Sequence, residues 1–134
     1  MKEIQNVTIV GAGTMGHSLA QVFAQSGYKV RLNDVQEEIL SKAKGMIAAN
    51  LQTLVELGFL EQKDAAATLS RILTTSRIEE AGRDADFVIE AITEDQNAKK
   101  EIFKTLDRVC PDPAILASNT SYLDIFKFVE TRRP

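Results

Sequence analysis

Residues 7–16 read VTIVGAGTMG, and residues 17–34 continue HSLAQVFAQSGYKVRLND. A short apolar run, Val7–Val10, enters a glycine turn that opens into a helical pattern. Each glycine has a separate physical task in such a turn. Gly11 allows the tight exit from a strand, Gly13 lets a pyrophosphate approach bare backbone, and Gly16 lets the helix pack closely on the sheet. Free N–H groups of the first helical turn, with the positive end of the helix dipole, then hold phosphates. The next strand-like run ends in Asp34, 18 residues beyond Gly16. That is near the spacing at which a carboxylate meets the hydroxyls of an adenosine ribose. Asp34 also reads as an N-cap for a helix starting near Gln36. Taken together, Gly11, Ala12, Gly13, Thr14, Met15, Gly16 and Asp34 form the pattern of a dinucleotide site. Asp34 would repel a 2′-phosphate, and residues 35–38 (VQEE) offer no Arg to receive one, which selects NAD over NADP. The glycine motif by itself is equally compatible with FAD.

Beyond this segment, apolar runs and helical patterns alternate. Strands are predicted at Val7–Val10, Lys29–Asn33, Arg71–Thr75, Asp86–Ile92 and Ala114–Ser118. Their bodies are nearly continuous in apolar or small residues, as strands covered on both faces require, so the sheet should be parallel and buried. Helical stripes run through Met15, Leu19, Val22 and Phe23, then through Leu40, Ala43, Ile47, Leu51 and Leu54, and then through Ile102, Leu106 and Val109. Gly27 marks a left-handed stop after the first, and Pro111 and Pro113 end the third. A last helix is expected over Leu123–Val129. The stretch from Asp34 to Arg71 exceeds one crossover helix, which predicts a helical hairpin turning near Gly58 and resuming at about Gln62–Leu69. The fold class that follows is α/β: a Rossmann-type, doubly wound, mainly parallel sheet with a helical-hairpin insertion after the second strand, one domain over residues 1–134.

Composition narrows the field. The 134 residues are 44% hydrophobic and 26% charged with a net charge of −3, which excludes a disordered chain. Six Phe, two Tyr and no Trp leave an aliphatic core. Cys110 has no partner within the chain, so a disulfide framework is excluded, and its setting before Pro111 reads as inert. No apolar run approaches the ~18 residues of a membrane span. Val7–Val10 meets a glycine turn where a secretory signal would place its cleavage site. The balance of charge, with a pI near 5.2, argues against nucleic acid. No metal is called for. The expectation is a protein of a reducing compartment, the cytoplasm. His17, the single histidine, falls where phosphates would lie and reads as a surface or packing residue.

In an open α/β sheet the ligand lies outside the carboxyl ends of the strands. Besides Gly11 and Asp34, those ends present Ala91, Ile92, Thr93 and Glu94, and then Ser118, Asn119, Thr120 and Ser121. Each segment also has a structural reading. Asp95 suits an N-cap for the helix through Ile102, with Glu94 and Lys99 an ordinary surface pair. Ser121 with Asp124 matches a capping-box spacing for the last helix.

Three stretches, IVGAGTMGHSLAQVFAQSGYKVRLND, FVIEAITEDQNAKKEIFKTLD and ILASNTSYLDI, in this order and spacing, resemble the NAD-binding domain of the 3-hydroxyacyl-CoA dehydrogenase family, including 3-hydroxybutyryl-CoA dehydrogenases. The likeness runs over nearly the whole chain. It implies that Ala91, Ile92, Glu94 and Lys99 contact the nicotinamide half of NAD, with Asn119 in the neighbouring loop. Ser121 would stand where nicotinamide and substrate meet, orienting both. The implied reaction interconverts an L-3-hydroxyacyl-CoA and a 3-ketoacyl-CoA by hydride transfer. Its base is a histidine oriented by a glutamate, both expected beyond the stretch matching TRRP. A helical C-terminal domain that completes the substrate site, and usually a homodimer, is likewise expected beyond this chain. The 134 residues alone should therefore bind cofactor without turnover, leaving apolar surface exposed over Leu123–Val129.

Two departures bear on substrate. Tyr122 stands where the family commonly has a small residue. The hairpin turn reads Glu56, Leu57, Gly58, Phe59, with Lys63 further on, where many members carry lysines suited to CoA phosphates. An NAD-dependent dehydrogenase of another small 3-hydroxy acid is thus one alternative. A stand-alone NAD(H)-binding module without catalysis is another.

Overall fold

A computed structural model describes residues 2–134. The elements in chain order are β1 (Asn6–Val10), α1 (Thr14–Gln25), β2 (Lys29–Asn33), α2 (Glu37–Glu56), α3 (Gln62–Ser70), β3 (Ile72–Thr75), α4 (Ile78–Gly82), β4 (Phe87–Glu90), α5 (Gln96–Val109) and β5 (Ile115–Ser118), followed by a 3-10 turn at Ile125–Lys127. The five strands form one sheet in the order β3-β2-β1-β4-β5, and every pairing is parallel. This is a Rossmann-like α/β fold, with the helical hairpin α2–α3 inserted after β2.

Register is what builds the site. Val10 lies opposite Asn33 on one side and Glu90 on the other, while Asn33 faces Thr75 and Glu90 faces Ser118. All five strands therefore end abreast, and the residues that follow them share one edge of the sheet. The chain order reverses between β1 and β4, which is the position of the ligand crevice in such sheets.

Two apolar clusters hold the sheet. One gathers Val7, Ile9, Val30, Leu32 and Ile72 with Leu40, Ala43, Ile47 and Leu51 of α2. The other packs Val10, Ala85 and Val88 against Leu106 and Cys110. The α2 stripe follows the i, i+3, i+7 spacing, and each large aliphatic in it contributes roughly 1.5–3 kcal/mol by leaving water. Thr8, a buried polar residue in the central strand, donates its hydroxyl to the Ala81 carbonyl of α4 at 2.5 Å.

Several expectations need correction. The buried face of α1 is Gly16, His17, Ala20 and Ala24, whereas Met15 and Val22 are exposed. Small residues let this helix lie close on the sheet, so its core stripe sits one position round from the one that side-chain size suggests. β4 stops at Glu90 rather than Ile92, because Ile92 N–H turns back to donate to the Glu90 carboxylate at 2.8 Å. The helix expected over Leu123–Val129 is only the 3-10 turn, and Asp124 at its start makes no capping bond. The short α4 was not anticipated. Gly27 and Gly58 do adopt positive φ, at 98° and 79°, where the first helix and the hairpin turn.

Candidate functional site

The glycine turn separates its three glycines by surroundings. Gly11 has φ 103°, and a Cβ there would stand 2.6 Å from the Ala91 carbonyl oxygen. The turn after β1 thus lies directly against the loop after β4, across the crevice. A Cβ on Gly16 would stand 1.7 Å from the Gly11 carbonyl oxygen, so α1 can approach β1 only through a glycine. A Cβ on Gly13 would meet nothing within 4 Å. Gly13 is exposed at the N-cap of α1, and among the described residues no side chain caps that helix or places an acid in its first turn. The first-turn N–H groups lack carbonyl partners within the helix and face open space with a favourable dipole for an anion. Thr14 and Met15 are exposed beside them, and Ala12 is buried.

Asp34 closes one wall. Its Oδ2 accepts from Ala12 N–H at 3.1 Å and its Oδ1 accepts from Gln36 N–H at 3.0 Å. The same carboxylate therefore tethers the glycine turn and starts the chain toward α2. The N-cap of α2 is Gln36 itself, so the capping expected of Asp34 is a turn contact two residues on. The whole corner is held from beneath by Gly11 N–H donating to the Asn33 carbonyl at 2.8 Å.

His17 is 6% exposed, with Nδ1 2.8 Å from the Gly13 carbonyl. A carbonyl only accepts, so that nitrogen carries the proton, and the ring buttresses the turn from inside. Sequence reading placed His17 as a packing or surface residue and missed this contact.

The loops after β4 and β5 form the second half. Glu94 joins them: Thr120 Oγ1 donates to one carboxylate oxygen at 2.7 Å, and Ser121 N–H donates to the other at 3.3 Å. Asn119 and Ser121 are exposed, and Ala91 and Ile92 are half-buried at the rim. Ser121 does not close a capping box, since Asp124 makes no such bond. Asp95 is the N-cap of α5 and accepts from Ala98 N–H at 2.9 Å.

Lys99 differs most from its sequence reading. It is not a surface partner of Glu94: its side chain is 1% exposed, and Nζ lies 2.5 Å from Glu90 Oε2, 3.4 Å from the Ile92 carbonyl oxygen and 3.9 Å from Glu94 Oε1. Ser118 and Thr120 were named only as polar residues at a strand end, and Glu90 was not singled out. A signal existed for Glu90, an ionisable residue inside the apolar run FVIEAI, which must find a buried cation.

Cavity size alone would have pointed elsewhere. A depression of about 790 Å³ lies at the other end of the strands, among Lys2, Ile4, Gly27, Tyr28 and Lys29, where no strand ends and no helix begins to offer free N–H groups. Strand topology and the open face of Gly13 locate the crevice better than volume does.

A Rossmann-type dinucleotide-binding domain is the class that this sheet, turn and acid define. Residues 6–134 match the family described as 3-hydroxyacyl-CoA dehydrogenase, NAD binding domain. The chain belongs to this family, and its cofactor is NAD. It is 41% identical over 133 residues to a probable 3-hydroxybutyryl-CoA dehydrogenase of Bacillus subtilis, covering 98% of this chain and 46% of that protein. A peroxisomal fatty acid beta-oxidation multifunctional protein of Arabidopsis thaliana is 40% identical over 129 residues, 96% of this chain and 18% of that protein. The crystal structure of FadB2 from Mycobacterium tuberculosis superposes with a TM-score of 0.90 at 36% identity, over 95% of this chain and 45% of that one. The chain thus spans less than half the length of these relatives. Among the described residues no helix is long and apolar enough to cross a membrane.

Proposed function

We propose that this chain holds NAD across the β1/β4 crevice and serves a protein that interconverts an L-3-hydroxyacyl-CoA and the 3-ketoacyl-CoA. The observation that carries the cofactor site is Gly13: its missing side chain leaves bare backbone and unpaired helix N–H groups facing open space. The pyrophosphate would rest on Gly11–Gly16, and Asp34 would receive the adenosine ribose through lone pairs its two backbone bonds leave free. The nicotinamide end would fall on Ala91, Ile92, Glu94, Lys99, Asn119 and Ser121, with Ser121 orienting ring and substrate. When bound, NAD accepts the hydride.

The hydroxyl proton needs a base, and His17 cannot supply it, being enclosed and bonded to Gly13 on the phosphate side. We propose that the base and its glutamate partner, along with the substrate and dimer surfaces, belong to the part of the relatives' length that this chain does not span. The organisation is one NAD-binding domain over residues 1–134. Burial raises the Cys110 thiol to about 11, which keeps it protonated and inert; the cytoplasm is proposed from the lone cysteine without a partner in the chain.

The substrate reading has a competitor with an observation behind it. Leu57 and Phe59 stand exposed at the hairpin turn, and Lys63 is paired with Glu61 at 3.3 Å. This turn presents apolar side chains and one solvent-exposed Lys63–Glu61 pair in place of a lysine cluster for CoA phosphates, which favours a small 3-hydroxy acid without CoA as the second reading.

A calorimetric titration of the chain with NADH and NADPH, beside Asp34→Ala, tests the cofactor site. Saturable NADH binding is expected, with NADPH weaker by about tenfold or more and the preference lost in the variant. Equal affinity for both cofactors in the unaltered chain would contradict the role given to Asp34.

A further inference from the structure

Beneath the two loops of the nicotinamide end lies a carboxylate that neither packing nor hydride transfer accounts for. Glu90, the last residue of β4, is 0% exposed. Removing a carboxylate from water costs several kcal/mol unless it is paired and its lone pairs are filled. Here both conditions are met. Oε2 accepts from Lys99 Nζ at 2.5 Å and from Ile92 N–H at 2.8 Å, and Oε1 accepts from Ser118 Oγ at 2.5 Å. Among the described residues no buried side-chain N or O lacks a partner.

The partners are informative as a set. Ile92 belongs to the loop after β4. Ser118 ends β5, and its Oγ accepts in turn from Thr120 N–H at 3.2 Å. The Glu90 carbonyl accepts from Asn119 N–H at 2.8 Å. One residue thus bonds to both loops, and above it Glu94 bonds from the first loop to Thr120 and Ser121 of the second. Burial alone does not call for an ion pair, since apolar residues of similar volume commonly replace a buried pair at no loss of stability. What an apolar side chain cannot do is orient Ile92 N–H and Ser118 Oγ at once.

We propose that Glu90 is a positioning residue for the nicotinamide end of the site: by binding Ile92 N–H and Ser118 Oγ together it sets the loops at 91–94 and 118–121 in register with each other, and Lys99 serves as its counter-ion. The inference rests on the dinucleotide reading above and adds a residue behind the crevice that touches no ligand.

NADH and ADP-ribose, which lacks the nicotinamide, separate the two ends of the site. Ser118→Ala removes one bond to Glu90 while leaving the ion pair, so it folds where Glu90→Gln, with Lys99 left uncompensated, risks failing to. In the unaltered chain NADH is expected to bind more tightly than ADP-ribose. In Ser118→Ala the affinity for ADP-ribose should hold within about twofold, while that for NADH falls by about tenfold, and Ser118→Thr should restore it. A parallel loss of both ligands, no loss of either, or equal wild-type affinity for the two would each overturn the proposal. Failure of the unaltered chain to bind ADP-ribose would instead overturn the dinucleotide reading on which it rests.

Discussion

Gly13 and Gly16 lie three residues apart and would answer an added methyl group in opposite ways. A methyl on Gly16 points into the Gly11 carbonyl, which cannot move without unseating β1 from α1. A methyl on Gly13 enters open space, at backbone angles any residue adopts, φ −73° and ψ −157°. Gly16→Ala is therefore expected to cost about 3 kcal/mol or more and lower the thermal midpoint sharply. Gly13→Ala should melt within ~2 °C of the unaltered chain yet bind NADH at least about tenfold more weakly. Thermal melts beside NADH titrations check both, and a Gly13→Ala chain that binds normally would remove the phosphate from this turn. The glycine positions could be read from sequence because spacing alone encodes a turn between strand and helix. Glu90 and Lys99 were harder, since eight intervening residues conceal that both side chains point to the same interior spot.

The elements followed the sequence wherever large apolar residues carry the packing. α2 buries Leu40, Ala43, Ile47 and Leu51 of the stripe its spacing predicts, with Leu54 only half-buried near the end of the helix. In α1 the signal held in part: Leu19 and Phe23 pack against the core, but close approach to the sheet selects Gly16, Ala20 and Ala24 for the buried face and leaves Met15 and Val22 outward. The segment after β5 misled for another reason. Its backbone is held by side-chain acceptors that periodicity does not register: Leu123 N–H donates to Thr120 Oγ1 at 3.2 Å, three residues back, and Arg132 N–H donates to Asp107 Oδ2 at 2.9 Å, 25 residues back. Pairing of β1 with β4 carries a pH signature. Asp86, just before β4, accepts from Gln5 and Asn6 N–H at 2.9 Å and pairs with Lys2 at 2.8 Å. The Lys2 bond is the chief cause that lowers its carboxyl to about 2, against burial, with the two backbone bonds assisting. A carboxyl depressed on folding stabilises above its unfolded value, about 3.8, and that contribution is lost as pH falls toward 2. Because Lys2 is largely exposed, the effect is screened and modest. Asp86→Asn should accordingly lower the thermal midpoint at neutral pH and flatten its fall between about pH 4 and 2; an unchanged acid slope would discount the contact.

For the molecule as a whole, topology turns separate residues into one surface. Five strands end abreast, the chain reverses between β1 and β4, and the turn after β1 touches the loop after β4 at Gly11 and Ala91. Two half-sites that share no bonds between Asp34 and Glu94 are thereby placed along one crevice, one proposed for phosphate and ribose, the other for the nicotinamide ring and substrate. The central claim is that NAD lies along that line. Backbone amide chemical shifts of the isotope-labelled chain, followed through an NADH titration, test it most directly. The expected result is a contiguous set of the largest shifts at residues 11–16, 34–36, 91–94 and 119–121. Shifts concentrated instead around Lys2, Ile4 and Tyr28 at the opposite end of the strands, or none at saturating NADH, would contradict it.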